Sequence, residues 1–507
     1  MLFRSGTNDL PIFVGSGAVV TGAVGEVGGV TGSTAADTAV GVLAFADADL
    51  ADTHTLTIMS VSATGIVSGL PANATLKAFL TSGALTEQSG LTPGFVPWAF
   101  AAPDKTFDYL GAGQVTTLTY VVKLTDNKAG SVTQNVTITV TGANDAPLIS
   151  TTTTAAKAIT ERANLTGSTA ADVATGAIKF TDPDNGDVHS LSITGVAASG
   201  SASGLPSAPT LLSWLTLGAV TEPAGTTTGS STWNFSAPDS AFDYLAAGET
   251  LVLTYAVLVT DAQGASVNQH VVLTITGAND KPVAAPHSGL TTDNWTALTV
   301  TAADLLAGAT DPDATDTLVL SSVQGAVGGT VALVGGNAVF TPTATNIGSA
   351  FFTYTISDGH AGTSVATVSL NTTLHQITGT SGNDTLSGST KSAQIDGLDG
   401  NDTIAAGSAG DKITGGAGND ILTGGAGIDT FIYQPGFGLD TINSFAATGT
   451  KHDVLQIDHN IFADWAHLLG ATTQVGTDLL ITLDPTDKIT LKNVAMANFT
   501  SADATFV

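Results

Sequence analysis

The sequence lacks several features that would point to common protein classes. It contains no cysteine, which excludes disulfide bonds and thiolate metal sites. Basic residues are scarce, because 14 Lys and Arg stand against 43 Asp and Glu, a formal net charge of −29. Nucleic acids and anionic membranes attract basic surfaces, so this balance argues against both as partners and favours cation binding.

Long hydrophobic runs are also missing. The most hydrophobic stretch, residues 12–30, is interrupted by glycines and by Glu26, so we expect no membrane span. The first thirteen residues lack the order of a signal peptide, and export would need another route. Charged residues make up only 11% of the chain and hydrophobic residues 43%, which indicates folded domains with real cores rather than disorder.

The recognisable catalytic motifs are absent. No Gly-x-Ser-x-Gly elbow and no His-Glu-x-x-His zinc motif occurs. The nine histidines are scattered, and His54 and His189 occupy equivalent positions of an internal repeat, which favours a structural role. We therefore expect no enzyme.

Residues 379–432 read as six nonapeptides in one unbroken frame. The eighth position is always apolar: Leu386, Ile395, Ile404, Ile413, Leu422 and Phe431. The constant spacing of these apolar residues predicts short stacked strands around a narrow core. The alternative, a disordered Gly/Asp linker, gives no reason for such a spacing. The sixth position is Asp384, Ala393, Asp402, Asp411, Asp420 and Asp429 in turn.

The remaining positions of the nonapeptide indicate a cation site. Glycine at the first, second and fourth positions permits a sharp turn, whose carbonyls converge beside the Asp. Such hard oxygen ligands suit Ca²⁺. Besides the five Asp residues, the predicted metal-site residues are Gly382, Gly400, Gly418, Asn383, Asn401 and Asn419.

These nonapeptides resemble those of the RTX family of secreted bacterial proteins, in which two nonapeptides form one coil of a parallel β-roll. The resemblance implies Ca²⁺ between alternate units, pairing Asp384 with Asp402, Asp402 with Asp420, and Asp411 with Asp429. The second unit lacks its Asp, so its site opposite Asp411 should be weak or empty. The C-terminal stretch, residues 493–507, resembles the target region of type I secretion substrates, although Ala504 replaces an aromatic residue of that pattern.

The N-terminal half contains a duplicated domain. The sequence TGSTAAD occurs at residues 31–37 and 166–172, and FDYL and TGAND recur at the same offset. Alternating segments such as 115–124 and 251–259 predict antiparallel β-sandwiches. The two copies resemble VCBS repeats, which are cadherin-like sandwiches of large bacterial surface proteins, and residues 282–373 resemble a cadherin-like domain.

Three acidic triplets recur near the start of the predicted sandwiches. They are Asp47, Asp49 and Asp52, then Asp182, Asp184 and Asp187, and finally Asp311, Asp313 and Asp316. Each could surround one Ca²⁺. The alternative is a solvated acidic turn, and the sequence leaves both open. The linkers at Asn144-Asp145 and Asn279-Asp280 resemble cadherin junctions with a thinner ligand set.

Together these features predict an all-β protein with tandem Ig- or cadherin-like β-sandwiches, a C-terminal parallel β-roll and a small cap with a secretion signal. The expected domains are 14–146, 147–281, 282–373, a roll at 374–442 and a cap at 443–507. Residues 1–13, where Gly6-Thr-Asn-Asp parallels Gly142-Ala-Asn-Asp, would be the tail of a possible upstream repeat.

The expected function is that of a calcium-stabilised adhesin or biofilm protein of the bacterial surface, exported by a type I system. Its expected partners are calcium ions, the secretion machinery, and an unidentified receptor, glycan or second copy of itself. Two alternatives remain open, namely an S-layer-like lattice protein and a polysaccharide-acting enzyme with an unrecognised site.

Overall fold

The computed structural model describes residues 6–224, 226–450 and 452–507. Among these residues, those up to Ala278 form one compact unit and those from Asn279 a second. The first unit holds two β-sandwiches, and the second holds a third β-sandwich and a parallel β-roll. The predicted all-β architecture is thus confirmed. None of the helices in these ranges has the length and apolarity needed to cross a membrane.

Sandwich 1 consists of two four-stranded sheets. Its elements are β1 (Ile12–Val19), β2 (Thr21–Gly25), β3 (Ala36–Ala46), β4 (His54–Gly65), α1 (Asn73–Ala78), β5 (Leu80–Ser82), β6 (Gly94–Pro103), β7 (Val115–Asp126) and β8 (Ser131–Thr141). The sheet orders are β1-β3-β6-β5 and β2-β8-β7-β4. Because β1 pairs with β3 from Ile12 onwards, this sandwich begins slightly ahead of the expected limit at residue 14.

Sandwich 2 repeats this arrangement. Its elements are β9 (Leu148–Ile149), β10 (Ala156–Thr160), β11 (Ala171–Thr181), β12 (His189–Gly200), α2 (Ala208–Ser213), β13 (Leu215–Leu217), β14 (Thr228–Pro238), β15 (Thr250–Asp261) and β16 (Ser266–Thr276). The sheet orders are β13-β14-β11-β9 and β10-β16-β15-β12. Alternate residues of β15 are buried, as the strand period requires.

The cores of the two sandwiches contain the repeated tryptophans. Trp98 and Trp233 are buried, and their indole N–H groups donate to the carbonyls of Val19 and Thr154, each at 2.8 Å. These carbonyls belong to the segment where the chain passes from one sheet to the other. Each tryptophan therefore fills the core and fixes the crossing strand.

Sandwich 3 is smaller. Its elements are β17 (His287–Asp293), β18 (Leu298–Val300), α3 (Ala302–Leu306), β19 (Val319–Val327), β20 (Gly329–Val334), β21 (Asn337–Pro342), β22 (Gly348–Ser357) and β23 (Thr363–Thr373). The sheets have the orders β17-β23-β22-β19 and β18-β21-β20. The helix α3 begins with a capping box, in which Thr301 and Asp304 satisfy each other's backbone N–H groups.

The roll consists of two facing sheets. Its elements are β24 (His375–Thr378), β25 (Thr385–Ser389), β26 (Ala393–Asp396), β27 (Thr403–Gly407), β28 (Lys412–Thr414), β29 (Ile421–Thr423), β30 (Thr430–Tyr433), β31 (Leu439–Asn443), β32 (Val454–Ile457), α4 (Trp465–Gly470), β33 (Thr472–Val475), β34 (Asp478–Thr482), β35 (Lys488–Leu491) and β36 (Ala504–Phe506). The sheet orders are β24-β26-β28-β30-β32-β36 and β25-β27-β29-β31-β35-β34-β33.

Parallel pairing joins alternate nonapeptides in exact register. Ile395 pairs with Ile413, and Ile404 pairs with Leu422. The predicted eighth-position residues are buried in the core of the roll, except that Leu386 near its first coil is only partly buried. The predicted narrow apolar core is present.

The roll extends beyond the limit expected at residue 442. Strands β32 and β36 continue one parallel sheet, and β35 continues the other. Strands β34 and β35 form an antiparallel hairpin. Helix α4 begins at Trp465, because Asp464 caps it, while Ile461 and Phe462 are buried ahead of it.

Candidate calcium sites

The sixth-position Asp residues of the odd nonapeptides form a ladder of hydrogen bonds. The backbone N–H of Asp384 donates to Asp402 Oδ1 at 2.7 Å, and that of Asp402 donates to Asp420 Oδ1 at 2.8 Å. Each step spans 18 residues, which is one coil of the roll. The structure therefore brings together the Asp pairs that the sequence predicts.

The even nonapeptides form a second ladder. The N–H of Ala393 donates to Asp411 Oδ1 at 2.6 Å, and that of Asp411 donates to Asp429 Oδ1 at 2.8 Å. Ala393 accepts no such bond through its side chain, so the ladder loses its carboxylate at the second unit. This is the position where the sequence predicts a weak site.

Two further carboxylates extend the ladders. Asp440 Oδ1 accepts the N–H of Asp420 at 2.9 Å, and Asp453 Oδ1 accepts that of Asp429 at 2.8 Å. Neither was predicted, because the steps lengthen to 20 and 24 residues and leave the nonapeptide frame. One feature of the nonapeptide is kept in the sequence at both places, because each Asp lies two residues before a buried apolar residue, Ile442 or Leu455.

In five of these carboxylates the second oxygen has no hydrogen-bond partner among the described residues. They are Asp402, Asp411, Asp420, Asp429 and Asp440, each at most 2% exposed. A buried anionic oxygen without a partner is costly, and a divalent cation with a preference for hard oxygen ligands satisfies it. The residues present therefore fit Ca²⁺.

Electrostatics point the same way. Burial raises the pKa of Asp411 to about 6, that of Asp429 to about 7 and that of Asp440 to about 8. Neighbouring carboxylates add to the rise for Asp429 and Asp440. Burial thus makes ionisation of these carboxyls harder than in water, and a bound divalent cation would favour their ionised form.

Two kinds of glycine shape the turns. At Gly397 a Cβ would overlap Asp402 Oδ2, so the first-position glycine makes room for the carboxylate. Gly400 and Gly418 have φ of +123° and +142°, and a Cβ on either would strike the turn stacked on it. The fourth-position glycines thus supply the backbone conformation and close stacking, whereas Gly382 lies at the exposed end of the row.

The predicted Asn residues form a separate, exposed ladder. Asn383 Oδ1 accepts the N–H of Asn401 at 2.8 Å, and Asn401 Oδ1 accepts that of Asn419 at 2.7 Å. Asn419 Oδ1 then accepts the N–H of Leu439. Their side-chain oxygens thus join successive turns. Here the later residue donates to the earlier side chain, whereas in the Asp ladders the earlier residue donates to the later one.

In sandwich 2 the acidic triplet lies around a small cavity. Asp182, Asp184 and Asp187 line a space of about 10 Å³ together with His189 and Glu222. That volume is close to the minimum for one water-sized occupant. Asp184 Oδ1 and Asp187 Oδ2 have no hydrogen-bond partner among the described residues, and burial raises the pKa of Asp184 to about 7.

In sandwiches 1 and 3 the middle Asp of the triplet is replaced by an Asp from a distant turn. In sandwich 1, one carboxylate oxygen from each of Asp47, Asp52 and Asp126 lies within 4.8 Å of the other two. In sandwich 3 the same holds for Asp311, Asp316 and Asp358. Sequence reasoning missed Asp126 and Asp358, although both stand in the recurrent turn that follows a long strand.

The middle Asp residues bind the linkers instead. Asp49, Asp184 and Asp313 each accept a backbone N–H through Oδ2, from Asp9, Asp145 and Asp280 respectively, at 2.8, 2.9 and 2.8 Å. The Asn before each linker Asp donates to the distant-turn Asp: Asn8 to Asp126, Asn144 to Asp261 and Asn279 to Asp358. The segment at residues 8–9 thus contacts sandwich 1 as a linker does.

The linker between sandwiches 1 and 2 has a larger acidic set than the sequence suggests. Oxygens of Glu26, Asp108 and Asp145 lie within 4.8 Å of one another. Burial raises the pKa of Glu26 to about 8. Glu26 Oε1 and Asp108 Oδ1 have no hydrogen-bond partner among the described residues. These groups fit a second cation between the sandwiches.

The repeated histidines are buried bridges between carboxylates. His54 contacts Glu87 at 2.9 Å and Asp47 at 3.0 Å, and His189 makes the corresponding contacts with Glu222 and Asp182. The carboxylates raise the pKa of both imidazoles, although burial opposes the rise. The equivalent placement agrees with a structural role.

Comparisons with known proteins identify two parts of the chain. Residues 278–373 match the model of the cadherin-like domain, and residues 376–390 and 396–431 match four copies of the RTX calcium-binding nonapeptide repeat. Sandwich 3 is a cadherin-like domain, and the roll is built from RTX repeats. Both matches fit a calcium-binding protein of the secreted, adhesin-like kind, and both domain kinds are typically non-enzymatic.

Solved structures with similar regions have low sequence identity. EC22-24 of mouse Cadherin-23 is 15% identical, with 72% of this chain and 99% of that chain covered and a TM-score of 0.33. The AlgE6R2 subunit of the Azotobacter vinelandii mannuronan C5-epimerase is 24% identical, with coverages of 26% and 92% and a TM-score of 0.21.

The extracellular lipase LipA from Serratia marcescens is 18% identical over 50% of this chain, with a TM-score of 0.23. The present chain spans only 29% of the length of that lipase. The comparison with curated proteins gives no significant match.

Proposed function

We propose that this chain is a bacterial calcium-stabilised adhesin or biofilm protein that leaves the cell through a type I secretion system. The observation that carries the proposal is the pair of Asp ladders, in which five buried carboxylate oxygens have no hydrogen-bond partner among the described residues. In this account the five Asp residues of the predicted set bind Ca²⁺ in the roll, joined by Asp440. The acidic triplets and the linker carboxylates bind Ca²⁺ in the sandwiches.

Linkage gives the proposed calcium response. Extracellular calcium modules have Kd values of about 10⁻⁴ to 10⁻³ M, far above the calcium concentration inside cells. A cation that binds only the folded state stabilises it by mass action. At a net charge of −29, repulsion between the carboxylates also opposes folding of the calcium-free chain. The roll would therefore remain unfolded inside the cell and fold outside it.

The C-terminal strand supports this order of events. In the folded roll, β36 pairs with β32, and the N–H of Val507 donates to the carbonyl of Ile457 at 3.0 Å. Ala504 is buried in the same sheet. A secretion system that reads this extended segment would need it released from the sheet, which an unfolded roll provides.

The sandwiches would act as the adhesive and spacing part of the protein. Calcium held by Glu26, Asp108 and Asp145 would stiffen the connection of sandwiches 1 and 2. We propose the domain limits expected from the sequence for sandwiches 2 and 3 and a start at Ile12 for sandwich 1. The parallel sheets of the roll continue into the cap.

Adhesion can be tested with the full chain coupled to beads. We expect beads to aggregate, or to bind bacterial or host surfaces, in millimolar Ca²⁺ and to separate in chelator. Sheets or filaments of free protein in Ca²⁺ would favour a lattice protein instead. Polysaccharide cleavage without adhesion would overturn the proposal in favour of an enzyme.

Export can be tested by expressing the chain with a type I transporter. We expect the intact chain in the medium and a chain truncated before β36 to stay in the cells. Equal export of both chains would contradict the proposed role of the C-terminal strand.

A further inference from the structure

The N-terminal end of the roll is covered by a loop of sandwich 3. Trp295 packs against the core of the roll, and its Nε1 donates to the carbonyl of Ser392 at 2.9 Å. Its indole stacks on the imidazole of His375 with the ring centroids 4.1 Å apart and the planes 13° apart. A solenoid needs such a cover, because its terminal coil would otherwise expose its core.

The residue before this tryptophan joins the two domains through its whole amide. Asn294 is fully buried, and its Nδ2 donates to the carbonyls of Ser392 at 2.7 Å and Ala344 at 2.8 Å. Its Oδ1 accepts the backbone N–H of His375 at 2.9 Å. Because this buried amide forms three hydrogen bonds, its contact with the roll is geometrically specific.

Asn294 occupies a particular place in the ladder. In each regular step, a backbone N–H is accepted by the Asp that lies 18 residues later. By this rule the N–H of His375 would be accepted by residue 393, which is the alanine of the degenerate nonapeptide. Asn294 Oδ1 accepts it instead, so a neutral amide from sandwich 3 stands in for the missing carboxylate.

The loop that carries these two residues is held in place from both sides. Asp293 Oδ1 accepts the N–H groups of Trp295 and Thr296, each at 2.8 Å, and its Oδ2 contacts His375 Nδ1 at 3.1 Å. From the roll, Lys391 Nζ donates to the carbonyl of Trp295 at 3.3 Å. Asp293 therefore fixes the loop within sandwich 3, and Lys391 of the second nonapeptide adds a hydrogen bond to it from the roll.

We propose that Asn294 and Trp295 are a calcium-independent cap, which holds the first coil of the roll, residues 375–396, closed against the cadherin-like domain. The second nonapeptide has exchanged its calcium ligand for this docking contact. The calcium-dependent coils after it then begin from a coil that is already formed. The inference goes beyond the proposed function and does not depend on adhesion or export.

Hydrogen exchange of the full chain in chelator tests the cap. We expect residues 375–396 to be protected while residues 397–432 exchange freely. Replacing both cap residues (N294A with W295A) should speed exchange of residues 375–396 on the order of tenfold to a hundredfold, because buried hydrogen bonds are lost. Core strands β22 and β23 report whether sandwich 3 stays folded.

A matched control is N337A, which removes a hydrogen bond to Ala302 inside sandwich 3 and should leave residues 375–396 protected. A rescue variant, N294A with A393D, returns a carboxylate to the ladder. Its first coil should regain protection only in Ca²⁺. Free exchange of residues 375–396 in the unsubstituted chain in chelator, or unchanged protection in N294A with W295A, would overturn the proposal.

Discussion

The backbone N–H of Asp402 donates to Oδ1 of Asp420 one coil later at 2.8 Å, while Oδ2 of Asp420 has no hydrogen-bond partner among the described residues. One carboxylate thus has two tasks. Its first oxygen joins successive coils, and its second is the oxygen that we propose binds Ca²⁺. Loss of the cation leaves a buried charge, so folding of the roll and calcium binding are coupled.

Replacing the ladder carboxylates by amides should weaken calcium binding. In D402N and D420N the amide Oδ1 can still accept the ladder bond, but the anionic ligand is lost. We expect the calcium concentration needed to fold the roll to rise on the order of tenfold, since affinity follows the number of charged ligands. Calcium titration followed by calorimetry or hydrogen exchange measures this.

The same turn provides the control. Asp399 is exposed and lies three residues before Asp402. D399N changes the net charge equally, and we expect the calcium midpoint to stay within about twofold because a screened surface charge has little effect. Equal shifts in D399N and D402N would show that general charge, rather than the ladder, governs the response.

The calcium-free roll should become more stable as the pH falls. The pKa values of Asp411, Asp429 and Asp440 are raised to about 6, 7 and 8 in the folded chain. Their contribution is fully present below the unfolded value near 4 and is lost as the pH rises through 6 to 8. Hydrogen exchange in chelator from pH 4 to 8, corrected for intrinsic rates, measures it.

The variant D440N removes the carboxyl with the highest of these pKa values. D440N should reduce the change in stability of the roll near pH 8 and leave the change at lower pH, which Asp411 and Asp429 cause. A calcium-free roll that gains stability as the pH rises from 5 to 8 would contradict the assignment. In Ca²⁺ the dependence should reverse, because protons compete with the cation for the same oxygens.

The linker carboxylates should make the junction of sandwiches 1 and 2 calcium-dependent. We expect Ca²⁺ at ten times its Kd to stabilise the junction by about 1.4 kcal/mol. This would slow exchange of residues 142–147, and E26Q with D108N should abolish the effect. D399N in the roll should leave it unchanged. Slowing by Ca²⁺ that persists in E26Q with D108N would place the cation elsewhere.

The bridging histidine of sandwich 2 should be structurally important. H189A leaves Asp182 and Glu222 without their shared partner in a buried place, and we expect a loss of about 1–3 kcal/mol in unfolding free energy. Denaturant unfolding in chelator measures it, with H270A, which removes an exposed imidazole of the same sandwich, as the control. Equal stability of H189A and H270A would argue against the bridge.

The repeat period explains what could be predicted from the sequence. A constant spacing keeps equivalent residues in phase, and the resemblance to the RTX family implies that alternate units stack. Together they predict the pairing of Asp384 with Asp402 and the buried row of Ile395 and Ile413. The sandwich strands follow likewise from alternation and repetition.

What the sequence could not show depends on distant contacts. Asp440 lies outside the frame once the coil lengthens, and Glu26 meets Asp145 only after sandwich 1 has folded. The stand-in role of Asn294 involves a residue 81 positions from His375 and has no motif. The sequence predicts a conformational role for the first-position glycines, whereas at Gly397 a Cβ would overlap both Asp402 Oδ2 and the carbonyl of Gly415.

The most direct test of the account is a calcium titration of the full chain with hydrogen exchange measured across residues 397–432. The account predicts that these coils exchange freely in chelator and gain protection together at about 10⁻⁴ to 10⁻³ M Ca²⁺. The same protection in chelator at neutral pH would contradict it, because the Asp ladders would then stabilise the roll without a cation.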